Sequence, residues 1–158
     1  MTRLIEFAIV VRRYCDWAGC VPPVGFVRAE MLQVRELLAV LYAQALALPQ
    51  VDCEWIDRVL THEDYQRMFA RFGNLPVGYY GRACDPLDAE SAELSLGDLA
   101  DDLADIWRDL REGLLLFDSG RREAAGASWQ ESFAIHWGEH AVNALAITHF
   151  WLGQNRGM

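Results

Sequence analysis

Apolar side chains recur at intervals of three and four residues through several long segments of the chain, and almost no segment alternates at two. This spacing is the period of an α-helix with one buried face, whereas a half-buried strand alternates at two. The pattern therefore predicts an all-α fold. A length of 158 residues suits one ordinary domain. We expect a single-domain bundle of about five helices over 1–158.

Glycines, prolines and capping residues divide the pattern into helices. Thr61 and Asp64 have the spacing of a capping box, and so do Ser95 and Asp98. A short turn before the last helix makes the final two helices long antiparallel neighbours. The second helix is predicted to turn Leu46 inward. The predicted helices cover about 2–17, 24–48, 61–73, 95–118 and 122–152.

A glycine- and proline-containing segment at about 74–94 separates the third predicted helix from the fourth. Connections of this length are usually functional or cover another part of the protein. Tyr79 and Tyr80 are expected to fold over the domain from this loop. Anchoring by buried aromatic rings is the favoured interpretation, and a binding loop is the alternative.

The segment DLADDLADIW in the fourth helix carries a stripe of acidic residues. At about 100° per residue, the core face and the acidic stripe point in directions roughly 110° apart. The stripe therefore borders the core, where the next helix packs. The predicted core face is Leu96, Leu99, Leu103, Ile106, Leu110 and Leu114, and the acidic stripe is Asp98, Asp102, Asp105 and Asp109.

Two histidines, His136 and His140, stand one turn apart on the last helix. The same geometry places them on an apolar face with Trp129, Phe133, Asn143, Ile147 and Trp151. A buried ring nitrogen without a partner costs about 1–3 kcal/mol. The aspartates of the fourth helix are the nearest partners in the sequence, and we expect Asp102 or Asp105 to hold these imidazoles.

Two interpretations of this set stay open. The first is a buried polar network of Asp98, Asp102, Asp105, His136 and His140 that ties the last two helices together, in a protein with a structural or interaction role. In the second interpretation, the same histidines and Asp102 or Asp105 bind a divalent metal ion.

Under the metal interpretation, the protein is a metal-dependent hydrolase that acts on phosphate esters or nucleotides. Glu139, at the edge of the histidine face, is the candidate base toward a metal-bound water, or a further ligand. If the ion were magnesium or manganese, the acidic stripe alone would suffice to hold it. The paired acidic repeats of all-helical nucleotide pyrophosphatases are absent from the sequence. His62 and His149 lie outside the predicted site.

Composition and motifs exclude several functions. The formal charge of −9 disfavours nucleic acid and anionic membranes as partners. All fourteen basic residues are arginine, which removes lysine chemistry such as a Schiff base. The chain has no G-x-S-x-G element, no glycine-rich phosphate loop and no dinucleotide fingerprint.

Location and assembly follow from a few further features. No signal peptide or membrane-length apolar run is recognisable, so we expect a cytoplasmic protein. The four cysteines lack a C-x-x-C pair, which favours free thiols over a zinc cluster. Six tryptophans are many for this length, and Trp151 near the end of the chain suits an interface. A homodimer is the expected assembly, and a protein partner is a further possibility. The cysteines are Cys15, Cys20, Cys53 and Cys84.

Three segments resemble one family. LYAQALALP, SLGDLADDLADIW and HWGEHAVNAL together resemble small bacterial proteins catalogued as domain of unknown function 5063. The resemblance extends from the second helix to the last, and HWGEHA is its most specific part. It implies a small all-helical bundle of bacterial origin, and it implies no activity, cofactor or catalytic residue.

Overall fold

The computed structural model describes residues 2–21, 25–50, 58–90 and 93–157. Within these ranges, five helices and one two-stranded sheet follow one another, so the all-α prediction is confirmed with a small sheet added. The elements are α1 (Thr2–Gly19), α2 (Val27–Ala45), α3 (His62–Phe72), β1 (Tyr79–Ala83), β2 (Leu94–Asp98), α4 (Leu99–Asp118) and α5, a continuous helical segment over 122–154. Over the described ranges, no helix is both long and apolar enough to cross a membrane.

The helix α4 lies at the centre of the fold and packs against α1, α3 and α5. Its predicted core face is confirmed from Leu99 to Leu114, whose side chains are fully buried. The Tyr14 hydroxyl on α1 donates to the carbonyl oxygen of Leu103 over 2.9 Å, which fixes α1 against α4. The aromatic rings of Phe7 and Trp129 pack edge to face, with centroids 5.2 Å apart.

Part of the segment predicted as a long loop forms a strand, and the start of the predicted fourth helix forms a second strand that pairs with it. Strands β1 and β2 pair antiparallel, with Tyr80 opposite Gly97. The sequence of β1, YYGRA, does not alternate apolar and polar residues. In β2, Leu94 and Leu96 flank Ser95, but both leucines are exposed, so this short alternation marks no buried sheet face. Because β2 runs into α4, Ser95 lies in a strand and Leu96 is 74% exposed. The predictions that Ser95 caps α4 and that Leu96 faces the core were therefore wrong.

The helix ends confirm some of the predicted caps and contradict others. Thr61 and Asp64 form the predicted capping box at the start of α3. At α4, Asp98 itself is the N-cap, and its carboxylate accepts from the Ala100 N–H over 2.9 Å. The helix α2 ends at Ala45, before the predicted end. Leu46 follows in the turn and is 67% exposed, which contradicts its predicted inward position.

The helix α5 contains an irregular turn. It consists of an α-helical part at Arg122–Ser132, a π-helical turn at Phe133–Trp137 and a second α-helical part at Gly138–Gln154. Three hydrogen bonds join α4 to α5, and their partners on α4 come earlier in the chain as those on α5 come later. The pairs are Leu110 with Trp129, Asp109 with His136 and Asp102 with His140. The predicted antiparallel packing of the last two helices is therefore confirmed.

Candidate functional site

The candidate site lies between α4 and α5, and its acidic side comes from α4. The side chains of Asp102, Asp105 and Asp109 are 5%, 12% and 2% exposed. They are more deeply buried than a stripe that merely borders the core. Buried carboxylates require hydrogen bonds or opposite charges, so their partners define the site.

His140 lies between two of these aspartates. Its Nδ1 lies 2.7 Å from Asp102 Oδ1, which is one of the predicted pairings. Its Nε2 lies 3.7 Å from Asp105 Oδ2, too far for a good hydrogen bond. The Asp102 carboxylate therefore fixes the ring, while Nε2 faces a second carboxylate across a gap.

His136 has a different partner from the one predicted. Its Nδ1 lies 2.6 Å from Asp109 Oδ2, whereas the sequence predicted Asp102 or Asp105. The prediction assumed about 100° per residue throughout the helix, but a π turn fits more residues into one turn. The turn brings Trp137 to the core in place of His136, whose side chain is 32% exposed.

The π turn also changes which residues after it are buried, so the predicted apolar face of α5 does not continue beyond it. Trp129 is fully buried, while its expected companions beyond the π turn are only partly buried. Those partly buried residues are Asn143, Ile147 and Trp151. The buried row of Gly138–Gln154 consists of Gly138, Ala141, Ala144, Thr148 and Leu152.

Each aspartate of the site has a further partner outside the histidines. The Tyr80 hydroxyl on β1 donates to Asp102 Oδ2. Arg108 pairs with Asp105, and an Arg58 nitrogen lies 3.4 Å from Asp109 Oδ1. The expectation that Tyr80 folds over the domain is confirmed by its contact, whereas Tyr79 is 75% exposed and does not.

Burial and charge shift the protonation of the site. Burial lowers the pKa of His140, but the hydrogen bond to Asp102 and the nearby acidic charges outweigh it, so this pKa is raised above its usual value. Burial raises the pKa of Asp105, against the opposing charge of Arg108. Burial and then the hydrogen bond to Asp102 raise the pKa of Tyr80, so its hydroxyl stays protonated and donates. Burial and hydrogen bonding thus act in opposite directions on the pKa of His140 and in the same direction on that of Tyr80.

Two glycines allow the site to assemble. A Cβ on Gly138 would lie 2.4 Å from the backbone oxygen of Phe133, so the residue that closes the π turn must be glycine for this backbone to persist. A Cβ on Gly97 would lie 2.3–2.6 Å from the Tyr80 ring. The Tyr80 ring thus crosses β2 over a glycine and reaches Asp102 beyond it.

One constellation in the described ranges has the geometry of a metal site. Asp105, His136 and His140 each offer a ligand atom, and these atoms lie within 4.8 Å of one another. Because carboxylates occupy both Nδ1 atoms, Nε2 is the nitrogen that each ring leaves for a metal. Donors around a tetrahedral ion with bonds of about 2.1 Å lie roughly 3.4 Å apart. Binding an ion would therefore shorten the separations between these atoms by up to about 1.4 Å.

Other residues considered from the sequence lie apart from this constellation. Asp98 caps α4, and Glu139 is 75% exposed and paired with Arg82 over 3.0 Å. His62 and His149 are exposed. None of these four side chains belongs to the group of Asp105, His136 and His140, the one group of this kind among the residues that the structure describes.

The cysteines match the predicted free thiols in the described ranges. Cys15 is buried, and Cys20 and Cys84 are exposed. Burial raises the pKa of the Cys15 thiol to about 12. Cys53 lies outside the described residues.

Sequence reasoning passed over three residues that complete the site. Asp109 was recognised in the acidic stripe but not as a histidine partner, although it follows Asp102 by seven residues, which is two helical turns. Arg108 pairs with Asp105 at the familiar i,i+3 spacing, which the sequence does show. Arg58 carries no signal, since its approach to Asp109 depends on the path of the chain before α3.

The comparisons with known proteins agree with the architecture. No curated protein matches the chain. A crystal structure of a Bacteroides fragilis protein from a structural genomics consortium has 22% sequence identity and a TM-score of 0.76, over 94% of each chain. At this identity the likeness is one of fold alone. The family model described as a domain of unknown function, DUF5063, matches residues 2–152. The chain therefore belongs to the DUF5063 family.

Proposed function

We propose that the chain binds one divalent transition-metal ion through His136, His140 and Asp105, with at least one coordination position left for water or a substrate. One observation carries the proposal. Both imidazoles are held at Nδ1 by buried carboxylates, at 2.6 and 2.7 Å, and one ligand atom from each of Asp105, His136 and His140 lies within 4.8 Å of the other two. Metal-binding histidines almost always have such a carboxylate or carbonyl behind them, because it fixes the tautomer and the ring orientation.

The distance between His140 and Asp105 favours a metal ion between these two side chains over a shared hydrogen bond. A hydrogen-bonded network would place His140 Nε2 within about 3 Å of its acceptor. The separation from Asp105 Oδ2 is 3.7 Å instead. This distance is close to the roughly 3.4 Å between two ligands of one tetrahedral ion.

The donor set favours particular metals. Two imidazole nitrogens and one carboxylate suit zinc, iron, cobalt or nickel, whereas calcium and magnesium prefer oxygen ligands throughout. The acidic stripe alone is poorly suited to magnesium because its members already have partners. Asp98 accepts from the Ala100 N–H as the cap of α4, and Asp102 accepts from the Tyr80 hydroxyl.

Three protein ligands and an open position are the arrangement of catalytic rather than structural zinc sites. Such an ion lowers the pKa of bound water toward neutrality and supplies a nucleophile for hydrolysis. Phosphate-ester hydrolysis is therefore the first reaction to assay, with p-nitrophenyl phosphate as the substrate. Arg58 is 52% exposed beside Asp109 and offers a positive charge to an anionic substrate at this site.

Isothermal titration of the tag-free, chelator-treated protein with zinc tests the binding. We expect one zinc per chain. His136→Ala, His140→Ala and Asp105→Ala should each abolish it or weaken it at least about 100-fold. Asp102→Asn should weaken it about 10- to 100-fold, as changes behind a ligand typically do. His62→Ala and His149→Ala are matched controls that should leave binding unchanged. Equal zinc binding by wild type and the three ligand variants would contradict the proposal.

A structural His–Asp network between α4 and α5 is the second candidate. The contacts of Asp105 with Arg108 and of Asp109 with Arg58 favour it, because they compensate these buried charges without a metal. The two candidates separate in the titration. A chain that takes up no zinc, cobalt or iron, yet loses stability on His140→Ala, has the network alone.

The cytoplasmic location and the homodimer belong to this proposal as well. Free thiols at Cys15, Cys20 and Cys84 support a reducing compartment. Light scattering on the purified chain, with and without zinc, tests for the dimer.

A further inference from the structure

A cleft of about 580 Å³ lies between α1, α2 and the end of α3, and shares no side chain with the metal site. This volume is within the range of small-molecule sites. Trp17 from α1, Leu37 from α2 and the exposed Phe26 ring give it apolar walls. Arg71 from α3 and Glu30 from α2 add a buried ion pair.

Arg71 is held firmly at this cleft. One of its terminal nitrogens donates to Glu30, and its Nε donates to the Cys20 carbonyl oxygen over 2.7 Å. Its guanidinium also lies 5.4 Å from the centroid of the Trp17 ring and 5.6 Å from that of the Phe72 ring. A guanidinium fixed on three sides holds the N–H groups of its remaining nitrogen, Nη1, in fixed directions.

Two donors at this cleft lack acceptors. Among the residues that the structure describes, neither Arg71 Nη1 nor Trp17 Nε1 has a hydrogen-bond partner, and both atoms are buried. Folded proteins leave few buried N–H groups unpaired. Two such donors, on adjacent side chains that line the same cleft, indicate an acceptor that comes from outside the described residues.

The charges at the cleft restrict what that acceptor is. The charge of Arg71 is balanced by Glu30, and the other charged residues that line the cleft are one arginine, Arg13, and one aspartate, Asp16. The apolar walls and this neutral sum favour an uncharged molecule. An oxygen with two lone pairs accepts from two N–H groups at once.

We propose that this cleft binds a small, uncharged, mainly apolar molecule whose carbonyl oxygen accepts from Trp17 Nε1 and Arg71 Nη1. Both donors are covered from solvent, so the side chains at the cleft move apart slightly as the ligand enters. Side-chain adjustments of this kind are common on binding. The proposal does not depend on the metal site.

Ligand-observed fluorine NMR tests it with 4-fluorophenylacetamide as the probe, on the full chain. The acid 4-fluorophenylacetate and 4-fluoroethylbenzene are comparators that add a charge or remove the carbonyl. We expect saturable binding of the amide, and weaker binding of both comparators. Trp17→Phe keeps the ring but removes its N–H donor, so it should weaken amide binding about fivefold.

Ala29 lines the cleft from the exposed side, so Ala29→Trp should fill it and abolish binding without disturbing the core. Ala39→Trp, on an exposed position of α2 away from the cleft, is the matched control and should bind normally. Absence of saturable amide binding to wild type would overturn the proposal. Equal affinity of wild type and Trp17→Phe for the amide would also overturn it. The Trp17 N–H would then not donate to the ligand, and a trapped water would satisfy the two nitrogens instead.

Discussion

The pair formed by Asp102 and His140 should contribute strongly to the stability of the metal-free protein. Asp102 is buried and accepts from both His140 and the Tyr80 hydroxyl. Each hydrogen bond to a charged group contributes about 1.5–3 kcal/mol, and removing one partner of a buried pair costs about 3–5 kcal/mol. We therefore expect Asp102→Ala to lower the free energy of unfolding by about 3–5 kcal/mol.

A double-mutant cycle isolates the pair from other effects of truncation. Urea unfolding of wild type, Asp102→Ala, His140→Ala and the double variant, all in chelator, gives the interaction energy directly. We expect about 1.5–3 kcal/mol between the two side chains. At this chain length, a loss of about 3 kcal/mol corresponds to a decrease in Tm of roughly 6–12 °C.

Glu139→Ala is the matched control for the loss of a carboxylate near the same helices. Its ion pair with Arg82 is exposed, so its removal should cost about 1 kcal/mol or less. An interaction energy below about 0.5 kcal/mol in the Asp102–His140 cycle would refute the reasoning, because that is the error of additivity between independent sites.

Two further predictions concern the π turn and the buried thiol. Gly138→Ala forces a Cβ against the backbone oxygen that lies 2.4 Å away, so it should destabilise the chain by about 1–3 kcal/mol and weaken zinc binding by displacing His136. Gly153→Ala, with nothing within 4 Å of its Cβ, should instead be neutral or stabilising in the same urea and zinc titrations, and equal effects of the two changes would contradict the role of the turn. With its pKa raised to about 12, Cys15 should stay unmodified by iodoacetamide at pH 8, whereas Cys20 and Cys84 should react, as peptide mass spectrometry will show. Modification of folded Cys15 at the rate of Cys20 would refute the buried, protonated thiol.

Local patterns in the sequence predicted most of the helices. The core face of α4 follows from its spacing alone, since Leu99, Leu103 and Ile106 are fully buried as expected. The capping box at Thr61 was equally readable, because both of its hydrogen bonds form within four residues. These features depend on neighbours along the chain and on one helical period.

The errors arise where distant parts of the chain determine the outcome. The hairpin was missed because it depends on long-range contacts, namely the pairing of Tyr80 with Gly97 and the hydrogen bond of Tyr80 to Asp102. The partner of His136 was missed because a single π turn changes the direction of every later side chain. The glycine in HWGEHA was the available signal, since it permits a turn that a Cβ would obstruct.

The central claim is that the Nε2 atoms of His136 and His140, together with the Asp105 carboxylate, bind one metal ion. Anomalous diffraction at the zinc edge, from crystals of the zinc-loaded protein, tests it most directly. We predict one peak about 2.0–2.1 Å from both Nε2 atoms and about 2.0–2.2 Å from an Asp105 oxygen, with Asp102 and Asp109 still on the Nδ1 atoms. A peak elsewhere, or none between these three side chains, would contradict the account.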